Sequence, residues 1–259
     1  MKALLPIIKQ SNAVYIDETG HKQAGQYHWL WTVSSKTAAY FTVTKSRGKK
    51  VLHELMEDFE HNVISDRYAI YTYFDSSRRQ LCWAHLKRDF TRLWQHSDKV
   101  ISRVGKGLLE CESRLFQLWH RFRNEEITRE ALQRQTTPLR KTVGEYLEQG
   151  SYTAPELKAA RFCKNLLECF SSLWTFLQAE ALEPTNNHAE RCLRSLVIWR
   201  KKYFGTQSNY GSDYVARTAS LITTAKLQKT NAFQYLSEAI SNAFSGQSIP
   251  CIINKPAFC

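Results

Sequence analysis

The sequence predicts an α/β protein in which a mixed sheet is flanked by helices. Apolar and polar residues alternate through the first third of the chain, which is typical of half-buried strands. Strand and helix signals then interleave up to about residue 98, and only helical signals continue to about residue 183. We therefore expect a sheet early in the chain, an all-helical insertion, and a final helical part.

Three strands come first. AVYIDE is a short apolar run that ends in acids, QYHWLWTV places Tyr27, Trp29, Trp31 and Val33 on one side, and AAYFTVT alternates likewise. Hairpin turns are expected at Gly25 and at the serines 34 and 35. These signals predict a three-stranded antiparallel meander.

The pattern then changes period. Apolar residues recur at helical spacing over residues 51–59, and NVIS follows as a brief β-type run that leads into Asp66. After a short helical stretch, QLCW is another β-type run, and AHLKRDFTRLWQH is typical of a basic amphipathic helix. The predicted order is βββαβαβ, counting the short helical stretch, followed by the basic helix.

Helical stripes of leucine and aromatic residues fill the stretch from Lys99 to Glu183, with breaks expected at Pro138, Gly150 and Pro155. Packing explains such stripes better than cofactor contacts do. We divide the chain into a first core part (1–98), a helical insertion (99–183), a final core part with C-terminal helices (184–244) and a loose tail (245–259).

Charge points to a polyanionic partner. The chain has 36 Lys+Arg against 24 Asp+Glu, a net charge of +12, and a pI near 9.4. Residues 187–229 hold eight Lys/Arg against Glu190 and Asp213, which is a local +6. This balance suits nucleic acid, although a merely basic soluble protein has the same composition.

Cysteine usage and hydropathy bear on the compartment. The seven cysteines are odd in number and include no C-x-x-C pair, which argues against a disulfide framework and a zinc ribbon. We interpret them as reduced core thiols of a cytoplasmic protein. ALLPII is too short for a signal-peptide core, and no apolar run approaches membrane-spanning length, so no membrane partner is expected.

Three acids stand out by position. Asp17 is expected to end the first strand, Asp66 follows the strand NVIS, and Glu190 lies in the first turn of a late helix. Three converging carboxylates repel one another unless a cation neutralises them, and Mg²⁺ prefers such oxygen ligands. Two ions about 4 Å apart can serve an in-line phosphoryl displacement.

Each acid also has a simpler interpretation. Asn187 can cap a helix whose third residue is Glu190, an approximate capping box, with Glu190 also facing Arg194. Asp17 can be a turn residue before Gly20, and Asp66 can cap the segment that follows it. Asp75 is a further acid in this part of the sequence that could be mistaken for a catalytic residue.

Five collinear motifs resemble the DDE transposase domain of the insertion-sequence sixty-six family. They are YIDETG, ISDRYAIYTYF, CWAHLKRDF, NNHAERCLRSLVIWRKKYFGTQSNYGSD and LITTAKLQKTNAFQYL, and they extend from about Val14 to Ile240. The resemblance implies an RNase H-like catalytic domain that is interrupted by a helical insertion. It also implies that Asp17, Asp66 and Glu190 form the catalytic, metal-binding triad.

The resemblance further implies an activity and its partners. Such enzymes cut the 3′ ends of a mobile element by water attack, and the freed hydroxyl then attacks target DNA. Two Mg²⁺ ions, or Mn²⁺, serve both steps. Transposon ends and target DNA are the expected partners, a homo-oligomer on DNA is plausible because two ends must meet, and the protein is expected in the bacterial cytoplasm, associated with the nucleoid when bound to DNA.

Other motif residues are candidates for DNA contact or for structural roles. The candidates for contact with the DNA backbone are Lys87, Arg88, Arg191, Arg194, Lys201 and Lys202, with a solvated basic face as the alternative. His85 either lines the DNA channel or is structural, and Cys82 is a core residue. No covalent protein–DNA intermediate is implied, so Tyr15, Tyr68 and Tyr71 are interpreted as core residues.

Family members generally carry a longer N-terminal portion that is implicated in recognising element ends, whereas only sixteen residues precede Asp17. We therefore expect an N-terminally truncated copy. Two alternatives to a transposase stay open: a DNA-binding or regulatory remnant without catalysis, and an RNase H-like nuclease that hydrolyses DNA without strand transfer.

Overall fold

The computed structural model describes residues 4–153, 158–180 and 182–253, and the chain divides into two compact units. The first unit comprises residues 1–73 and 186–259, and the second comprises residues 74–185. This division describes which residues pack together. It does not test whether residues 99–183 are an insertion into the core domain, so those limits stay a prediction. Pro155 and the last six residues of the predicted tail, which include Cys259, lie outside the described residues.

The first unit combines four strands with helices from both ends of the chain. Its strands are β1 (Ala13–Gln23), β2 (Gln26–Ser34), β3 (Ala39–Thr44) and β4 (Asn62–Ser65). Its helices are α1 (Leu4–Lys9), α2 (Lys49–Met56), α7 (Asn187–Tyr203), α8 (Asn209–Leu227) and α9 (Ala232–Phe244), with a 3₁₀ turn at Ala69–Tyr73. Helix α1 is the one described element of this unit that the sequence patterns missed.

The strands of the first unit form a mixed sheet. Strands β1, β2 and β3 pair antiparallel in succession, which confirms the predicted meander, and β1 pairs parallel with β4 on its other side. Among these strands the order is β3-β2-β1-β4. The β1–β2 turn places Ala24 and Gly25 at φ of 48° and 75°, so both residues are left-handed as a tight two-residue hairpin requires.

Strand β1 is longer than predicted. AVYIDE was expected to end at Asp17, but β1 continues to Gln23, and Asp17 pairs with Thr32 in the middle of the hairpin. The expectation was wrong because the β1–β2 hairpin extends past the end of β4, so polar residues continue the strand beyond its apolar part. The interpretation of Asp17 as a turn residue before Gly20 is excluded by the same pairing.

Helices α7 and α8 cover one side of this sheet. Buried residues from β2, β3 and both helices form one cluster, which comprises Leu30, Ala39, Phe41, Cys192, Leu193, Ala216 and Ala219. The outer edge of β3 is also bonded to α8: the Phe41 amide donates to Ser220 Oγ at 2.9 Å and the Ala39 amide to Thr224 Oγ1 at 3.1 Å. These hydroxyls satisfy backbone groups that an edge strand otherwise leaves open.

The second unit is built mainly of helices. It contains β5 (Arg79–Leu81), α3 (Trp83–Trp94), α4 (Lys99–Arg123), α5 (Arg129–Tyr152) and α6 (Lys158–Glu168), with 3₁₀ turns at Phe170–Leu173 and Thr175–Leu177. Its core includes the fully buried rings of Trp83, Phe90 and Trp174. The basic helix and the helical character of residues 99–183 are confirmed for the described residues.

The predicted breaks at Pro138 and Gly150 were wrong, because α5 runs through both. Gly150 serves close packing instead: a Cβ at this position would lie 2.5 Å from the sulfur of Cys163 on α6. Across the described part of the chain, no helix combines the length and the apolar character that crossing a bilayer requires.

The cysteine prediction held in part. None of the described cysteines forms a disulfide, and Cys82, Cys111, Cys163 and Cys192 are buried. Cys169 is half-buried and Cys251 is exposed, so the description of all cysteines as core thiols was wrong for Cys251 and holds only in part for Cys169.

Candidate active site

Strand register brings Asp17 and Asp66 together. In the parallel pairing of β1 with β4, Tyr15 lies opposite Ile64, and Asp17 and Asp66 each follow two residues later. Neighbouring strands of a sheet are about 4.8 Å apart, and residues of the same parity point to the same face. The two carboxylates therefore start from adjacent positions at the point where β4 ends.

Helix α7 runs along the same face of β1. The ring of His188 lies 4.7 Å from that of Tyr15, and Arg200 Nη1 donates to Thr19 Oγ1 at 2.9 Å. Tyr15 and Thr19 flank Asp17 at two positions on either side, so they share its face. Glu190 follows His188 by two residues, which places it on the part of α7 that passes Asp17.

The start of α7 differs from the predicted capping box. The helix begins at Asn187, its N-cap is Asn186, and Glu190 is its fourth residue. Asn186 makes no side-chain cap bond, and its Nδ2 donates to the backbone oxygen of Ile16 at 2.9 Å. The capping-box interpretation was therefore wrong, and Asn186 instead fixes the helix start to β1 next to Asp17.

The electrostatics of Asp17 show that the three acids share one neighbourhood. Burial is the largest cause that raises the pKa of Asp17 to about 8, and repulsion from the Glu18 carboxylate is the next. Asp66 and Glu190 raise the same pKa by their charge, whereas a hydrogen bond from the Glu18 amide lowers it. The structure thus brings Asp66 and Glu190 within electrostatic reach of Asp17.

A fourth acid, Glu18, was missed by the sequence interpretation. Its side chain is only 4% exposed, it accepts a hydrogen bond from the Tyr71 hydroxyl at 2.5 Å, and Arg47 Nη1 lies 3.9 Å away. Burial, opposed by the Tyr71 bond, raises the pKa of Glu18 to about 7. Two successive acids directly after the apolar run AVYI were the available signal, since alternation places them on opposite faces of the strand.

The tyrosines fit their predicted role in part. Tyr15 and Tyr71 are fully buried, as expected of core residues, whereas Tyr68 is half-buried under the Arg47 guanidinium at 4.3 Å. Tyr71 also has a polar role, because its hydroxyl donates a hydrogen bond to Glu18.

Four of the predicted DNA-contact residues lie exposed on α7: Arg191, Arg194, Lys201 and Lys202. Arg191, Arg194 and Lys201 follow one another at intervals of three and seven residues, so they share one helix face. The face turned to the sheet carries buried His188, Ala189, Cys192 and Leu193. We call the exposed face with Arg191, Arg194 and Lys201 the basic stripe.

The remaining predicted residues lie on α3 in the second unit. Lys87 and Arg88 are exposed there, and Lys87 Nζ lies 3.1 Å from Glu112 Oε2. His85 is half-buried in the first turn of α3, and Cys82 is buried at its N-cap. The role of His85 stays undecided.

The first unit defines a class of protein: a mixed α/β domain that carries a carboxylate cluster on its sheet and a basic helix beside it. The sequence pattern of the family described as "Transposase IS66 family" matches residues 1–214. The chain belongs to this family of transposases.

The chain is also similar to two curated proteins. One is "Uncharacterized protein y4qI" of Sinorhizobium fredii (strain NBRC 101917 / NGR234), 22% identical over 275 residues that cover 94% of this chain and 50% of the relative. The other is "Uncharacterized protein y4jD" of the same strain, 22% identical over 233 residues that cover 84% of this chain and 44% of the relative. The chain thus spans about half the length of these relatives. No solved structure matches it.

Proposed function

We propose that the first unit is the RNase H-like catalytic domain of a DNA transposase, with residues 99–183 as an insertion. It would cut the 3′ ends of a mobile element and join them to target DNA, with Asp17, Asp66 and Glu190 as the catalytic triad. Family membership supports the process, and the shared electrostatic neighbourhood of the three acids is the observation that carries the mechanism.

The donor set fits hard divalent cations. Three carboxylates supply oxygen ligands only, which is what Mg²⁺ and Mn²⁺ prefer. A pKa of about 8 at Asp17, raised in part by Asp66 and Glu190, means that added positive charge would stabilise the ionised cluster. We therefore assign the three side chains as ligands of a metal pair.

When bound, such a pair activates a water or a 3′ hydroxyl and stabilises the leaving oxygen of an in-line phosphoryl displacement. The residues of this chain hold the geometry. Asp17 is fixed within a paired strand and accepts the Glu18 amide at 2.9 Å, and Asp66 accepts the Tyr68 amide at 2.8 Å. Asn186 ties the start of α7 to β1 and so positions Glu190.

The basic stripe supplies the contact to DNA. Its guanidinium and ammonium groups are exposed on the helix that carries Glu190, so a phosphate backbone bound there would lie near the carboxylates. Lys202 extends this surface, and Lys87 and Arg88 are the corresponding candidates on α3. Such contacts release counterions, so affinity should fall steeply with salt.

A cleavage and joining assay tests the proposal. Purified protein would be incubated with Mg²⁺ or Mn²⁺ and DNA that carries the flanking terminal repeats, and Asp66→Asn would be compared with wild type. The matched control is Asp75→Asn, because Asp75 is an exposed acid that belongs to the second unit and not to the proposed triad. We expect nicking and joining in wild type and in the control, and a loss of at least about 100-fold in Asp66→Asn.

The other outcomes separate the alternatives. Salt-sensitive DNA binding without metal-dependent cleavage would favour a binding or regulatory protein. Nicking without joining would favour an RNase H-like nuclease. Cleavage that Asp66→Asn leaves unchanged would contradict the assignment of the triad.

A further inference from the structure

A cleft of about 340 Å³ opens at the tip of the β1–β2 hairpin, where the end of α7 meets it. Residues that line it include Lys22, Tyr27, Arg200, Lys201, Phe204 and Gly205. The carboxylate cluster does not contribute to its walls. A volume of this size falls in the range of small-ligand sites, which begins at about 300 Å³.

The backbone around the cleft is held by several bonds. The Thr206 amide donates to the Lys22 oxygen at 2.9 Å, and the Ala24 amide donates to the Thr206 oxygen at 2.8 Å. Gly205 has φ of 102°, and a Cβ there would lie 2.0 Å from the Lys22 oxygen. The chain after α7 is thus joined to the hairpin tip, and the cleft between them is preformed.

The lining combines exposed rings with cations. Tyr27 is 76% exposed and Phe204 is 80% exposed, so both rings are open to solvent. Three cations, Lys22, Arg200 and Lys201, line the same cleft, with Lys22 Nζ 5.7 Å from the centre of the Tyr27 ring. No acid belongs to the described lining residues. Aromatic faces beside cations are the combination that binds unpaired nucleotides.

We propose that this cleft binds one nucleotide of unpaired DNA, with its base against Tyr27 and Phe204 and its phosphates against Lys22, Arg200 and Lys201. A paired base is less suited to this site, because within a duplex its faces are covered by its neighbours. The inference rests on the proposed function for the identity of the polymer. Gly20 to Lys22 lie three to five residues beyond Asp17 on β1, about 10–17 Å along the strand, so DNA at the carboxylates reaches the cleft within a few nucleotides.

Equilibrium binding tests the cleft without any cleavage step. Fluorescence anisotropy in EDTA would compare a fluorescein-labelled oligothymidylate of about eight nucleotides with a fully paired duplex. We expect Tyr27→Ala and Phe204→Ala to weaken binding of the oligothymidylate about tenfold or more and to leave duplex binding unchanged. Tyr27→Phe should retain binding because it keeps the ring.

Matched variants separate stacking from charge and from folding. Phe233→Ala is the control, because this ring is 79% exposed on α9 and does not line the cleft. Lys201→Gln should weaken both probes, since phosphates occur in both. Tyr27 is largely exposed, so its replacement should not prevent folding. If Phe204→Ala fails to fold, the comparison of Tyr27→Ala with Tyr27→Phe decides the result.

Unchanged oligothymidylate binding in Tyr27→Ala, or an equal loss for the duplex, would overturn the cleft assignment. The outcome is independent of the cleavage assay. If wild type cuts and joins DNA but Tyr27→Ala binds normally, only the cleft assignment fails. If cleavage is absent but unpaired-strand binding needs Tyr27, the proposed function fails and the cleft stands.

Discussion

Tyr71 and Glu18 form a buried hydrogen-bonded pair behind the carboxylate cluster, with the Tyr71 hydroxyl donating to Glu18 Oε2 at 2.5 Å. Tyr71 is fully buried, and the side chain of Glu18 is 4% exposed. The donor partly offsets the effect of burial on the pKa of Glu18, which is nevertheless raised to about 7. This pair therefore controls how readily a fourth negative charge forms beside Asp17.

Tyr71→Phe should destabilise the protein in a pH-dependent way. Above pH 7 the Glu18 carboxylate is ionised and loses its donor, at a cost of about 1–3 kcal/mol. Below that pKa Glu18 is protonated and the loss is smaller. Thermal melts in EDTA at pH 5.5 and 8.5 would measure the difference. Tyr214→Phe, at a position that is 63% exposed, is the control, and an equal destabilisation at both pH values would contradict the role of Tyr71.

Asp17→Asn should stabilise the metal-free protein at high pH. The folded-state pKa of about 8 lies above the ordinary 3.8, so the folded state binds more protons and loses stability as pH rises from about 4 to 8. Asparagine removes that penalty and can still accept the Glu18 amide. We expect a melting temperature in EDTA at pH 8.5 that is about 2–4 °C higher for each kcal/mol gained, and a smaller gain at pH 5.

The same variant should lose its response to metal. If the three acids hold metal as proposed, Mn²⁺ should raise the melting temperature of wild type, by an amount that grows as Asp17 ionises. Asp17→Asn removes a proposed ligand and should respond weakly, whereas Asp75→Asn should behave like wild type. Equal stabilisation of Asp17→Asn and wild type by Mn²⁺ would contradict the metal assignment.

The type of each strand or helix and the order of these elements were predictable, because both depend on the local spacing of apolar residues. The meander, NVIS as a strand and the basic helix each follow from apolar spacing, and the parallel neighbour of β1 then sets Asp17 beside Asp66. The length of β1 was not predictable in this way, since residues 18–23 are polar and are held as a strand by pairing with β2.

Interactions distant in sequence account for the rest. Asn186 donates to the backbone of Ile16, 170 residues away, and Tyr71 reaches Glu18 only in the folded protein. Tyr27 shares the pattern of Trp31 and Val33, yet it is exposed because it lies at the hairpin tip. The cleft needs both α7 and the hairpin, and no local window contains both.

Gly205→Ala should destabilise the first unit more than Gly25→Ala does. Both glycines have positive φ, so alanine carries backbone strain of about 1–2 kcal/mol at either position. At Gly25 a Cβ meets nothing within 4 Å, whereas at Gly205 it would lie 2.0 Å from the Lys22 oxygen. Urea denaturation should therefore show a larger loss for Gly205→Ala, and equal losses would contradict the close approach of the two segments.

Replacing Arg191 and Arg194 together by glutamine should weaken duplex binding and make it less sensitive to salt. Each phosphate contact contributes about −0.9 to the slope of log affinity against log salt concentration, so the double variant should reduce the slope by about 1.8. Both side chains are exposed on α7, so the fold should be retained.

Lys141→Gln, an exposed cation on α5, is the control. Anisotropy titrations between about 50 and 200 mM salt measure the slope. A lower affinity with an unchanged slope would contradict phosphate contact by the basic stripe. A variant that makes fewer contacts between charges and phosphates releases fewer counterions on binding, so its slope must be smaller.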